Sequence, residues 1–422
     1  MITSPTSQYD RLLAMICLVL VGIGLVMIYS ASNIVASERL GDATYYLRRQ
    51  ATFAGVGLVG MAVAASIPYQ FYRRVIYPAL GLVILLLAAV LVAGETRGGA
   101  TRWLSLGGFS FQPSELAKLA VIFYLAYSLD KKQAHIKSFE IGILPHLITC
   151  GVVLALILLE PDFGTSMVLA AILAVMMFLA GVKITHLALL AAAALPFFGL
   201  VMVAATYRVK RLMTFLDPWK DPLGDGFQII QSWVAFAGGG LPGAGLGNGL
   251  QKIYYLPEAH TDFIFAVIGE ELGLIGVAGI LFLFGALVWR GLRIAERAPD
   301  LFGCLLGLGL TTLLGLQAMI NMMVVTGLLP TKGLTLPFLS FGGTSLIISM
   351  SMVGVLLNIS ASQGRVARAR VATEELSRAE LERATRKSGR APILDTAERQ
   401  TRFDAPGFER LKPGRKKRRR RR

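Results

Sequence analysis

Residues 256–273 read LPEAHTDFIFAVIGEELG, a polar, titratable cluster that runs directly into an apolar helix. Glu258, His260, Thr261 and Asp262 stand at the mouth of a membrane-spanning segment, and Glu270 and Glu271 lie two turns further in. A carboxylate inside a span costs roughly 2.5 to 3.5 kcal/mol on insertion scales, so by default it marks a functional site. Asp262, at the boundary, stays wet enough to remain charged. A second reading is that Thr261 and Asp262 only cap a helix beginning near Phe263, because Asp and Thr side chains satisfy first-turn amides. On either reading the stretch belongs to an all-α polytopic membrane protein.

Outward from that stretch the composition agrees. The 422 residues are 55% hydrophobic and only 16% charged, and the mean hydropathy is +0.62. Such a chain is too apolar for a soluble fold. Cys17, Cys150 and Cys304 all fall in apolar runs with no ligand-like spacing, so they read as small buried hydrophobes rather than disulfides or a metal site. The net charge of +16 suggests nucleic acid until it is located: residues 365–422 hold 20 Lys and Arg against 8 Asp and Glu. The excess is a tail, ending RKKRRRRR at 415–422. In a polytopic chain such a tail is drawn to anionic lipid at about 1 kcal/mol per basic residue, and no nucleic-acid partner is expected.

Runs of about 17 to 25 apolar residues can cross a bilayer, and about ten are legible, centred near residues 21, 59, 84, 121, 150, 173, 195, 276, 312 and 350. Arg11, Arg73, Arg74, Lys131, Lys132, Lys137, Lys183, Arg290, Arg293 and Arg297 then share one side, which the positive-inside rule makes cytoplasmic. Both termini fall there too. The expected organisation is a cytoplasmic N-terminus at 1–10, a transmembrane domain at 11–361 and a basic, disordered cytoplasmic tail at 362–422. Residues 206–262 form a long extracytoplasmic loop between helices 7 and 8, and 327–345 a re-entrant-like outer turn.

Four segments face outward. ETRGGATRWLSLGGFSFQP (95–113) reads as an interfacial amphipathic piece. It leads into SELAKLA, where Glu115 and Lys118 are three apart on one helical face. EPDFGTS (160–166) ends the fifth span and puts Asp162 at the depth of Lys118, so a Lys118–Asp162 pair with Glu115 nearby is predicted; it either joins two helices or serves chemistry. The long loop carries Arg208, Lys210 and Arg211, then the glycine run GGGLPGAGLGNG (238–249), suited to tight turns or close backbone approach. GLLPTKGLTLPFLSFGGTS (327–345) is broken by Pro330 and Pro337, and Lys332 is its only charge. That lysine either meets an anion or snorkels to the surface.

Taken together, GGATRWLSLGGFSFQPSELAKLA, EPDFGTS, FLDPWKDPLGDGFQIIQSWVAFAGGG, LPEAHTDFIFAVIGEELG and LPTKGLTLPFLSFGGTS resemble the shape, elongation, division and sporulation (SEDS) family, in order, across residues 10–362. LPEAHTDF and TKGLTLP are most similar to its septal branch, with the elongation branch second. The basic tail, Phe341 and Thr344 depart from the family's usual wording. The resemblance implies a glycosyltransferase that polymerises lipid II at the outer face of the bacterial inner membrane during septal wall synthesis. It also implies a class B penicillin-binding protein and other divisome proteins as partners, and Asp262 as the essential aspartate.

The residues suit that chemistry. A lipid diphosphate leaves readily, so one carboxylate base can suffice, and Asp262 is the candidate. Lys332, then Arg208, Lys210, Arg211 and Arg102, are candidates to neutralise the departing diphosphate, and Glu258, His260 and Thr261 to line the substrate site. A divalent cation, Mg or Mn, is conceivable beside Asp262 or Glu258, but no ligand spacing identifies one and no other cofactor is expected. Two other readings compete: a lipid II transporter relaying through Glu115, Lys118, Glu270 and Glu271, and a non-catalytic divisome scaffold.

Overall fold

The computed structural model describes residues 9–388, apart from 98–99, 107–108, 205, 225, 254–255 and 257–258. In chain order the elements are α1 (Arg11–Leu40), α2 (Tyr45–Ser66), α3 (Tyr69–Ala93), β1 (Glu95–Arg97), β2 (Ala100–Leu106) and β3 (Phe109–Phe111). There follow α4 (Pro113–Lys131), a short α5 (Phe139–Gly142), α6 (Leu144–Leu159), α7 (Phe163–Leu179), α8 (Ile184–Val203), α9 (Thr206–Leu216) and α10 (Phe227–Gly239). The chain ends in α11 (Ile264–Glu296), α12 (Leu301–Val325) and α13 (Gly343–Ser388).

Every apolar run expected from the sequence centres in a helix. Among the described residues, seven helices are both long and apolar enough to cross a membrane. The other three fall short for visible reasons: α2 carries Arg48 and Arg49, α4 carries Glu115, Lys118, Asp130 and Lys131, and α7 is only 17 residues long. Burial ranks the helices. Among those seven, α12 and α13 are the most enclosed, whereas α8, apolar all round, buries none of its residues. A helix apolar on every face belongs in lipid.

Contacts gather at two opposite ends. At one, the Asp10 amide donates to Ser360, Arg73 joins Asp130 and Asp300, and Gln133 donates to the Ala180 carbonyl. At the other, Gln50 donates to the Ser340 carbonyl and the Phe341 amide to the His260 carbonyl. Arg11, Arg73 and Arg290 therefore share an end, as the charge pattern requires.

Two expectations change. The 95–113 segment, expected as an amphipathic piece within an all-α chain, takes strand form: β1, β2 and β3 make a small antiparallel sheet, with Thr96 opposite Thr101 and Leu104 opposite Phe111. Its alternation of polar and apolar residues is the strand period. Helical backbone also continues past 362, the expected start of the tail, to Ser388. Contacts divide the chain into units Met1–Val366 and Ala367–Arg422; the disorder expected of the extreme tail falls on 389–422, outside the described residues.

The long loop is ordered by helices α9 and α10. Ser232 and Trp233 of α10 donate to the carbonyls of Val325 and Thr326 at the end of α12. The glycine run that follows fills a break in α11 at Gly273, where φ is 64° and ψ −164°. Amides of Ala244 and Gly245 donate to the carbonyls of Glu270 and Glu271, and amides of Leu274 and Ile275 to those of Gly240 and Leu241. Both Gly243 and Gly273 have left-handed φ, and a β-carbon on Gly273 would come within 2.3 Å of the Gly243 amide nitrogen. Only glycine allows backbones this close.

Candidate functional site

Asp262 stands just before α11. The helix opens at Ile264 with Phe263 in the N-cap position, a residue with no acceptor to offer. Asp262 thus lies one residue before the cap position. Its backbone carbonyl accepts from Asn321 Nδ2 at 2.8 Å, and the same amide donates to the Leu334 carbonyl at 2.6 Å. Asn321, buried in α12, thus ties Asp262 to the 327–345 turn. It was missed in the sequence; a polar residue within an apolar helix was the available signal.

The turn comes close on the other side as well. A β-carbon on Gly333 would stand 3.3 Å from Asp262 Oδ2, so the carboxylate lies against the backbone next to Lys332. The Lys332 ammonium lies 2.9 Å from Met167 Sδ and 5.8 Å from the centre of the Phe163 ring. A thioether is a weak acceptor, and burial lowers the lysine's pKa below its usual value. An arriving anion would restore it. The Arg208 guanidinium also lies against that ring, 5.6 Å from its centre, and donates to the Val201 carbonyl at 2.6 Å.

The EPDFGTS turn holds that ring in place. Asp162 caps α7, accepting from the Thr165 amide at 3.1 Å and the Thr165 hydroxyl at 2.8 Å. Arg102 of β2 donates to the carbonyls of Glu160 at 3.4 Å and Pro161 at 2.5 Å. Lys332, Arg208 and Arg102 are thereby brought to the EPDFGTS turn, while Asp262 lies against Gly333, next to Lys332 in the chain. Lys210 and Arg211 are exposed on α9. The His260 ring packs against Tyr46 and Phe341 at 4.6 and 5.7 Å between centres, and Thr261 is half-buried beside it. Phe341, a departure from the family wording, thus closes over the histidine. Glu258 lies outside the described residues.

One predicted pair is not made. The buried Lys118 ammonium sits 2.7 Å from Glu115, not on Asp162, whose carboxylate is committed to its cap. Spacing of i,i+3 on one helix outcompetes a partner on another helix at similar depth.

A second cluster went unforeseen. Glu271, fully buried, receives the Lys252 ammonium at 2.6 Å, the Ser30 hydroxyl at 2.7 Å and the Gly247 amide at 3.2 Å. Glu270 accepts from the amides of Leu250 and Gln251 at 2.7 and 3.1 Å. The two carboxylates therefore hold the loop leading to Asp262. Lys252 read as an ordinary loop lysine; the signal was Glu271 itself, an intramembrane carboxylate that needs a cation. Among the described residues no group of three His, Cys, Asp or Glu comes close enough to hold a metal ion. The conceivable divalent cation has no protein cage among them, and no step below is assigned to one.

Glu160 makes a prediction of its own. Neither carboxylate oxygen has a hydrogen-bond partner among the described residues. Burial first, then the neighbouring Asp162, push its pKa up to about 8 against the opposing pull of Arg102. The folded protein thus keeps a proton that the unfolded chain gives up near pH 4.5. Its stability contribution is complete below about 4.5 and is lost as pH rises through about 8. Glu160→Gln, a neutral isostere, will flatten the fall in thermal stability between pH 5 and 8, measured by unfolding in detergent. An unchanged slope would assign it to another group.

Comparison with known proteins adds the following. The chain matches the FtsW/RodA/SpoVE family, described as cell cycle proteins, over residues 10–365. A probable peptidoglycan glycosyltransferase FtsW of Geobacter sp. (strain M18) is 48% identical over 354 residues, covering 83% of this chain and 96% of its own. Stage V sporulation protein E of Bacillus subtilis (strain 168) is 46% identical over 362 residues, covering 85% and 99%. Among solved structures, a chain from a peptidoglycan synthase complex that coordinates polymerization and crosslinking aligns with a TM-score of 0.71 at 34% identity, covering 84% of this chain and 98% of that one. Thermus thermophilus RodA, a rod shape determining protein, aligns at 0.64 and 29%, covering 84% and 97%.

Proposed function

Because the chain belongs to the FtsW/RodA/SpoVE family of cell cycle proteins, we propose that the site beside Asp262 joins lipid-linked disaccharides into glycan strands. The protein is a peptidoglycan glycosyltransferase of cell division. On this reading its substrate is lipid II, the reaction runs at the outer face of the bacterial inner membrane at the septum, and a class B penicillin-binding protein cross-links the product. The synthase complex that shares this fold supports a cross-linking partner.

The observation that carries the assignment is the meeting of opposite charges on a fixed turn. Asp262 lies against Gly333, and next in the chain Lys332 shares the Phe163 ring with Arg208. In the reaction the 4-hydroxyl of a GlcNAc attacks the anomeric carbon of a MurNAc. Asp262 takes the hydroxyl proton as the new C–O bond forms, and the bond to the lipid diphosphate breaks with its electron pair on phosphate oxygen. Lys332 and Arg208 then balance that charge. The thioether beside Lys332 is a partner that a diphosphate would readily replace, while Arg208, anchored to the Val201 carbonyl, reaches the same ring with its guanidinium.

The transporter reading draws less support. Glu115 and Lys118 neutralise each other, while Glu270 and Glu271 are committed to loop amides and Lys252. None is left as a mobile relay.

The direct experiment is glycan synthesis from labelled lipid II by the purified full-length chain with its transpeptidase. Polymer is expected. Its absence, with lipid II crossing vesicle membranes instead, would return the transporter reading. Lys332→Gln should lower the rate about 100- to 1,000-fold, in the range of removing one charge-stabilising donor, with the fold intact. A wild-type rate would remove Lys332 from the site.

A further inference from the structure

At the end of the bundle away from Asp262 there is a second charged cavity, of about 320 Å³, lined by Asp10, Arg11, Arg290, Arg293, Arg297 and Ser360 among others. Its arginines come from elements far apart in sequence, the first turn of α1 and the last turns of α11. Asp10 is the only acidic residue in the lining; it pairs with Arg290 and caps α1 through the Leu13 amide. Arg11, Arg293 and Arg297 make no ion pair among the described residues, and Arg290 Nε is buried without an acceptor. Four arginines thus line the cavity against one carboxylate already in use, with Arg11, Arg293 and Arg297 exposed at its rim.

Cationic residues at the cytoplasmic ends of spans are ordinary topology signals. That role asks only for solvated charge. It does not ask arginines of two helices to converge on one open cavity or to leave a buried N–H without an acceptor, which is costly. Arginine forks fit phosphate oxygens bidentately, and the first-turn amides of α1 add a favourable dipole. Trp289, half exposed, has the guanidiniums of Arg290 and Arg293 over its ring at 5.5 and 5.4 Å. A tryptophan among arginines at a helix end marks headgroup level.

We propose that this cavity binds a phosphate-ester anion, supplied by the headgroup of an anionic phospholipid. The site is separate from the glycosyltransferase centre and does not depend on it. Unlike the basic tail, it is formed where the ends of two packed helices, α1 and α11, meet.

The test uses the full-length chain in detergent. Retention of phosphatidylglycerol and of phosphatidylcholine is compared by native mass spectrometry for wild type, Arg293→Gln/Arg297→Gln and the charge-matched control Arg48→Gln/Arg49→Gln at the opposite end. Wild type and control should retain the anionic lipid, and the pocket variant about tenfold less. A second arm titrates glycerol phosphate. Displacement of the lipid at millimolar concentration, absent in the pocket variant, would keep the phosphate site but make its natural ligand soluble. Equal lipid retention in all three proteins, with no effect of glycerol phosphate, would overturn the proposal. Because all three carry the same tail, its contribution cancels.

Discussion

Asp262→Asn will fold, keep its cross-linking partner and make glycan at a rate lower by orders of magnitude. The substitution keeps the shape of the side chain, and the tie from Asn321 engages the Asp262 backbone carbonyl, which the change does not touch. What disappears is the base. Proton transfer by a positioned group is worth about 10²- to 10⁴-fold, so the rate of lipid II polymerisation should fall by that range. Thermal unfolding of the variant separates the two ways of losing activity. A folded, partner-bound variant polymerising at the wild-type rate would show that the proton leaves by another route. A variant that unfolds at much lower temperature would instead give the aspartate a structural role.

Lys252→Met will be among the most destabilising single changes in the chain. It removes the cation that sits 2.6 Å from Glu271 and leaves that carboxylate fully buried with only Ser30 and one amide to serve it. Breaking a buried pair from one side costs about 3 to 5 kcal/mol, because the remaining charge is uncompensated. Adding Glu271→Gln should recover much of the loss, the mark of coupling between two residues in contact. Urea unfolding of the single and double variants measures both terms. Additive losses would deny the coupling. Glycan synthesis should fall in the single variant too, since the loop from Lys252 leads within ten residues to Asp262.

Much of this was legible in the sequence. A span must be long and apolar whatever it packs against, so helices were found from composition alone. Asp262 and Lys332 stood out because charge in an apolar setting is costly and needs a reason. The misses share a different cause. Lys252 lies in a long polar loop, where a lysine attracts no notice until the fold carries it to Glu271. Asn321 is legible only as an oddity, since its partners come from two separate segments. The Lys118–Asp162 pairing failed because depth along two helices says nothing about a nearer partner on the same one, and Glu115 was that partner. Of the strands in 95–111, β1 and β3 were hidden by brevity, since three residues carry almost no periodic signal, whereas the alternation of the seven-residue β2 was there to be read.

The break at Gly273 bears on how a lipid-linked substrate gets in. Lifting the glycine loop off α11 would strip the partners from the amides of Leu274 and Ile275 and the carbonyls of Glu270 and Glu271. Each such group costs several kcal/mol in hydrocarbon. The loop is therefore a permanent wall, not a door. Room for a polyprenyl chain has to open elsewhere, and α8, which buries none of its residues, has the least to lose by moving aside.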